Sequence, residues 1–381
     1  MTKLLSSPGN VIPDKSLATI TRFAFLALLL TIVGLMSSHS NASGKSKRVP
    51  AEWEPQEAIW LQWPSDFERV FQPAFARMSA IISRYEKLNI VFDSESDRNQ
   101  ARNAIADAGD DPDHANIRWL QLPNDSAWMR DNGPVYIIEE GELRIQDWGF
   151  DAWGGAFGSH IPYQKDDQVP SRIGELLGVP VDVVDIVHER GNLEFNGVDT
   201  VLLNWSTIGD PARNPGYTRE QAEKDLKARF GVARVVMVEG YAEGELTRGH
   251  IDGFARFIDA DTVVVSQCSA DSYCQSDDGD AGTLYDNAAA IIAAAGFKVI
   301  RDPILGQVRY RDQVFDTNYL NWLVGNGFVI TVGFGDEASD AAAKKRIEGY
   351  FPGRDVYVIE MLASWYDGGG VHCHTNDQPA I

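Results

Sequence analysis

Cysteine is scarce in this chain: three residues in 381, at positions 268, 274 and 373. That excludes a dense disulfide framework, and the odd count leaves at least one thiol without an intramolecular partner. Positive charge is also in short supply, with 34 Lys and Arg against 55 Asp and Glu and a formal net charge of -21. A surface this acidic is repelled by phosphate backbones and anionic membranes, so nucleic acid is excluded as the expected partner and cationic ligands are favoured. From Arg48 onward there is no low-complexity run, no charge block and no Pro- or Ser-rich linker. A single domain over residues 44–381 follows from that continuity. Disorder is excluded by composition, since 44% of the residues are hydrophobic.

One long apolar run is present, Phe23–Met36, preceded by Lys3, Lys15 and Arg22. Its 14 residues fall short of the roughly 20 needed to span a bilayer. Small residues follow in Ser38-His-Ser-Asn-Ala-Ser43, with Ser40 and Ala42 suited to the -3 and -1 positions of a cleavage site. Residues 1–43 therefore read as a cleaved signal peptide, and the mature chain is expected to be secreted or periplasmic, with no membrane contact after signal removal. A retained N-terminal anchor is the alternative reading. In an oxidising compartment Cys268 and Cys274, six residues apart, are expected to form a local disulfide, leaving Cys373 free.

Strand and helix patterns alternate through the chain, which places it in the α/β class. Strands are predicted at 89–94, 117–122, 233–238, 297–301 and 355–361. Helices are predicted at 97–108, 285–295 and 338–350. A further helix ends at Phe230 and opens at the capping-box pattern Thr218-Arg-Glu-Gln221. Three similar tripeptides recur: Arg130-Asp-Asn132, Arg190-Gly-Asn192 and Arg248-Gly-His250. Their steps of 60 and 58 residues extend to Arg311-Asp312 and then to Gly369-Gly-Val-His-Cys373. Five stations at this spacing fit five similar strand-and-helix modules around a centre.

These stations carry reactive groups. Cys373 follows a glycine-rich stretch that lets backbone approach a ligand closely. His250 and Asp252 sit two residues apart and face one side of a strand. Asp131 precedes an Asn-Gly-Pro turn. A thiol nucleophile needs a base or a cation beside it, and two carboxylates can grip a planar cation such as a guanidinium. Each piece also has a structural reading: a buried thiol, a structural His-x-Asp pair, a turn with a local ion pair. Trp63, in the cluster of Trp53, Trp60 and Trp63, reads as core or as a substrate contact.

Together these residues resemble the agmatine deiminase and Porphyromonas-type peptidylarginine deiminase family, within the guanidine-modifying enzymes. The resemblance runs from Val49-Pro-Ala-Glu-Trp-Glu-Pro55 and Trp60-Leu-Gln-Trp-Pro64 through Trp128–Pro134, 147–155 and Gly249-His-Ile-Asp252. It ends with Phe351-Pro-Gly-Arg354 and Gly368–Cys373. It implies a five-bladed α/β propeller of ββαβ modules and a catalytic set of Cys373, His250, Asp131 and Asp252. Substrate contacts are expected from Trp128, Glu189, Arg248 and Trp63, and no metal or organic cofactor is implied. The expected substrate is agmatine, arginine in a peptide, or free arginine. Arg248 stands where agmatine deiminases usually carry an acid, and Asp151 replaces their Asn; a cation at the rim favours a carboxylate-bearing substrate. Alternatives are an amidinotransferase on the same scaffold, a metal-dependent hydrolase using His372, Cys373 and His374 with His250, and a non-catalytic binding protein.

Overall fold

Buried β-branched runs and helices of about three turns alternate because each sheet needs a helix to cover its apolar face. The computed structural model describes residues 47–242, 245–269 and 281–381. Among them, one arrangement recurs in five sheets: an antiparallel strand pair, a helical crossover, and a third strand parallel to the second. It is formed by Val135–Glu139, Glu142–Gly149 and Val181–Val187. Glu194–Phe195, Thr200–Asn204 and Arg234–Val238 repeat it. So do Ala255–Phe257, Thr262–Cys268 and Lys298–Ile304, and Leu323–Gly325, Phe328–Gly333 and Asp355–Glu360. In the fifth case the antiparallel partner comes from the other end of the chain. Thr375–Pro379 pairs with Gln56–Gln62, which continues into the parallel strands Lys87–Phe92 and Ile117–Gln121.

The central strands are buried on both faces. Every residue of Thr200–Asn204 and of Phe328–Gly333 is inaccessible to solvent. The helix Arg219–Phe230 starts at the expected capping box, with Thr218 accepting from the Gln221 amide, and stops at Gly231 with φ 70°. The predicted strands and helices are present, with boundaries within four residues, but His250 and Asp252 are corrected from a strand to the short helical turn at Ile251–Gly253. Lys87–Phe92 is displaced by two residues at both ends, and pairs with Ala58–Gln62 in a register that its own sequence does not encode.

Four of the five expected stations immediately precede the first strand of a sheet. Met129–Asn132, Arg190–Asn192, Ile251–Gly253 and His372–His374 are each a short helical turn. Arg311-Asp312 is a correction. It lies in the turn of an extra hairpin, Gln307–Tyr310 with Gln313–Asp316. The equivalent position is Asn318–Trp322, just before Leu323–Gly325. The inserted hairpin carried the sixty-residue count to the wrong pair.

The stations are held by one carboxylate. Asp377, on the closing strand, accepts from Arg130 Nη1 at 2.8 Å and from Arg190 at 2.6 and 2.9 Å, and all three residues are buried. The first two station arginines are therefore structural. Removing one member of a buried charge group typically costs about 3–5 kcal/mol, because it strands the others. Asp377→Ala is expected to lose stability on that scale in urea unfolding. An unchanged unfolding midpoint would show that the two arginines find other partners.

Candidate active site

Because each station is a tight turn at a strand entrance, its side chains project to the same end of its sheet. A cavity of about 440 Å³ opens there, with Cys373, His250, Asp252, Asn321 and Glu245 in its lining. Cys373 is a free thiol and 5% exposed. Cys268 is disulfide-bonded, and its expected partner Cys274 lies outside the described residues.

The thiol is gripped at the base. Asn321 Nδ2 donates to Cys373 Sγ at 3.1 Å, and Asn321 Oδ1 accepts from the His372 amide at 3.0 Å. Asp252 Oδ2 lies 3.6 Å from the sulfur and 2.8 Å from His372 Nδ1. Burial, then the charges of Asp252 and Asp131, push the thiol well above its ordinary range; the Gly370 amide and Asn321 act the other way. Burial also pulls on Asp252, but hydrogen bonding to His372 keeps it ionised and lowers it overall.

His250 sits between carboxylates. Nδ1 is 3.5 Å from Asp131 Oδ1, and Nε2 is 3.4 Å from Glu189 Oε2. Burial alone would lower its pKa, but Asp131, Glu189 and Asp252 outweigh burial and lift it to about 9. The ring is thus an imidazolium at neutral pH. Asp131 is raised by burial, against the pull of His250, to about 6. Trp153 Nε1 donates to its Oδ2 at 2.8 Å, while Asp131 Oδ1 and His250 Nδ1 make no hydrogen bond. Those two unpaired polar atoms are available to a ligand. Glycine is required beside them, since a Cβ on Gly191 would fall 2.6 Å from both.

The expected substrate contacts divide. Glu189 is fully buried, bonded to Arg213 Nε at 2.8 Å, and acts on the site through His250. Trp128 packs on Gly369, which lines the cavity, and its ring lies over His374 at 4.3 Å. Trp63 is corrected to the core: it is 1% exposed, meets Phe75 edge-on and does not line the cavity. Arg248 is corrected as well. Its Nε pairs with Asp210 at 3.0 Å, and it is absent from the cavity wall. The rim group is instead an acid, Glu245, whose oxygens accept from Thr247 and from the Gly249 amide.

Asn321, Glu52 and Arg213 escaped the sequence reading because they act across long separations. Glu52 was in view only as part of the Val49–Pro55 motif. It joins Glu194 and His372, with ligand-type atoms within 4.8 Å of one another. Arg256 already supplies the cation there, 2.9 Å from Glu52 and 3.1 Å from Glu194. The His372, Cys373 and His374 trio of the rival metal reading does not converge either, since His374 turns away to the Ala127 carbonyl and Ser364.

With its thiol raised and its imidazole charged, the empty site should be a slow nucleophile. Alkylation of Cys373 by iodoacetamide at pH 7 is expected at least about tenfold below the rate of a free cysteine, rising with pH. A rate equal to that of free cysteine would contradict the site's electrostatics.

The family model for Porphyromonas-type peptidyl-arginine deiminase matches residues 48–379. A Streptococcus mutans protein provisionally described as an agmatine deiminase is 31% identical, over 87% of this chain and 96% of its own. The structure of the agmatine deiminase of Enterococcus faecalis superposes with a TM-score of 0.76 at 26% identity, covering 87% of this chain and 96% of that one. A substrate-bound Campylobacter jejuni agmatine deiminase, at 21% identity, shares the fold with a TM-score of 0.78, over 89% and 98% of the two chains.

Proposed function

Because the chain belongs to the Porphyromonas-type peptidyl-arginine deiminase family, we propose that it hydrolyses the guanidinium group of a cationic substrate with release of ammonia. The observation that carries this reading is the convergence of one free thiol, one imidazolium and the Asp252 carboxylate on a single cavity, with a second carboxylate, Asp131, 3.5 Å from the imidazolium and its Oδ1 without a hydrogen bond. Asp131 and Asp252 would hold the guanidinium nitrogens. Neutralising their charge removes the two Coulombic causes that keep the Cys373 thiol protonated. Substrate binding thereby makes its own nucleophile.

The Cys373 proton is lost to solvent as the cation binds, and the thiolate Sγ then forms a bond to the guanidinium carbon. The C–N bond breaks with its electron pair on nitrogen, and His250 protonates that nitrogen so that ammonia leaves. A thiouronium remains. Water attacks its carbon while His250 takes the proton, the C–S bond breaks, and the ureido product departs with the thiol restored. Glu189 and Arg213 set the charge and orientation of His250.

For the substrate, Glu245 on the cavity wall and the withdrawal of Arg248 to Asp210 favour a second positive charge. That supports agmatine, converted to N-carbamoylputrescine, and agmatine deiminases are among the similar proteins. Arginine in a peptide is the second reading, favoured by the family description and by the signal-like composition of residues 1–43. We read the five modules as blades of a propeller whose axis carries the site. We also take residues 1–43 as a removed signal and 44–381 as the catalytic domain, working outside the cytoplasm. An acceptor other than water would make the same chemistry an amidinotransfer.

Ureido-product formation should be measured with agmatine, free arginine and arginine peptides. Cys373→Ala is expected to abolish it, and His250→Ala to reduce it about 10²–10⁴-fold. A Cys373→Ala protein that turns over would overturn the mechanism. Glu245→Gln is expected to raise KM for agmatine and leave that for an arginine peptide unmoved.

A further inference from the structure

A second cavity, of about 110 Å³, lies behind Trp128 and has no part in the chemistry above. Four aromatic rings frame it in consecutive edge contacts. Phe71 meets Trp128 at 6.2 Å, Trp128 meets Trp153 at 6.0 Å, and Trp153 meets Phe157 at 5.1 Å. Phe67, on its rim, is 66% exposed. Glu68 also lines this cavity and is only 2% exposed. The carboxylate takes hydrogen bonds from the Trp128 indole and the Ala127 amide, yet its Oε1 has no partner. A buried, unpaired carboxylate oxygen in an aromatic box is costly unless something positive comes to it.

We propose that this cavity is a binding site for a primary alkylammonium ion, distinct from the cavity that holds Cys373. The aromatic faces would attract the ammonium by cation–π interaction while the alkyl chain lies against Ile161 and Pro162. The volume suits a short chain, being room for roughly three or four waters. Asp125 and Asp367 share the lining, and Asp166 adds its charge from behind Glu68. Lys165 is the cation on that side, and it pairs with Asp93 at 3.1 Å while standing 3.9 Å from Asp125. Glu68 thus has no cation at ion-pair distance among the described residues.

Two of its walls back onto residues of the first site. Trp153 donates to Asp131, and Trp128 packs on Gly369 beside Cys373. An ammonium ion here would bear on residues that hold the nucleophile and one substrate-gripping carboxylate. The binding itself does not depend on the proposed turnover.

Proton competition supplies a test in the unaltered protein. Burial, and then the Asp166 charge, raise Glu68 to about 8, with Asp367 acting in the same direction; the Trp128 and Ala127 hydrogen bonds oppose them. His374, which lies over Trp128, is lowered by burial to about 4 and stays neutral. Ammonium binding must displace the Glu68 proton, so affinity should rise roughly tenfold per pH unit up to about pH 8. n-Butylammonium chloride, charged across this range, is the probe, with n-butanol as its neutral counterpart and calorimetry as the readout. Expected are binding of butylammonium over butanol, strengthening from pH 6 to 8, and a loss of at least tenfold in Glu68→Gln. In Asp252→Asn, which disables the first cavity, binding should persist. Loss in Asp252→Asn with retention in Glu68→Gln would place the ion in the first cavity and overturn the proposal. Equal binding of butanol, or affinity independent of pH, would overturn it too. The pH arm keeps the test decisive if Glu68→Gln does not fold.

Discussion

The active-site cavity depends on a carboxylate that does no chemistry. Asp377 stands on the strand that closes the first sheet, and it draws in the arginines of two other sheets. Each arginine is one residue away from a group in the site: Arg130 precedes Asp131, and Arg190 follows Glu189. Arg130 Nε also donates to the carbonyl of His372, next to Cys373, at 3.2 Å. One buried cluster therefore ties together the turns that carry Cys373, Asp131 and Glu189. Buried ion pairs add little net stability, but two guanidiniums that must both reach one carboxylate leave few alternative arrangements. Such a cluster specifies geometry more than it strengthens the fold.

The electrostatics of the site follow from the same crowding. Asp131, Asp252 and Glu189 face one imidazole and one thiol, so the empty cavity carries excess negative charge. The His250 proton balances part of that excess, and a cationic substrate is the natural complement to the rest. The chain's overall charge of -21 is a separate matter. It favours the approach of cations over long distances, where salt screens it. The buried carboxylates act at a few ångströms and are screened far less. Under the proposed function, selectivity for guanidinium would reside in them.

Much of this was legible because it is local. Arg130-Asp-Asn132, Arg190-Gly-Asn192 and Gly249-His-Ile-Asp252 are turns whose chemistry and position travel together within a few residues. Cys373 was recognisable from its glycine approach and from being the odd thiol. Asn321 was not, because its identity as a thiol ligand arises from a contact across 52 residues. An inserted hairpin also displaced the repeat count onto Arg311. Trp63 and Arg248 failed for opposite reasons. A tryptophan beside Pro64 reads the same whether it faces a core or a ligand, and the direction of an arginine depends on which acid it finds. Asp210 is that acid, 38 residues earlier.

The glycines complete the argument, because they mark where the stations meet. Gly191 and Gly369 belong to different sheets, and neither has a positive φ. Conformational freedom is therefore not why they are glycine. A Cβ on Gly369 would lie 2.8 Å from Cys373 Sγ and 2.5 Å from the Trp128 ring. One on Gly191 would collide with both the His250 imidazole and the Asp131 carboxylate. Close packing elsewhere is achieved by interlocking side chains. Here the side chains that converge must keep reactive atoms free, so the backbone beneath them gives up its own. The sequence can be read in that direction: a glycine that needs no special φ marks space taken by something else. At these two positions, that something is the site.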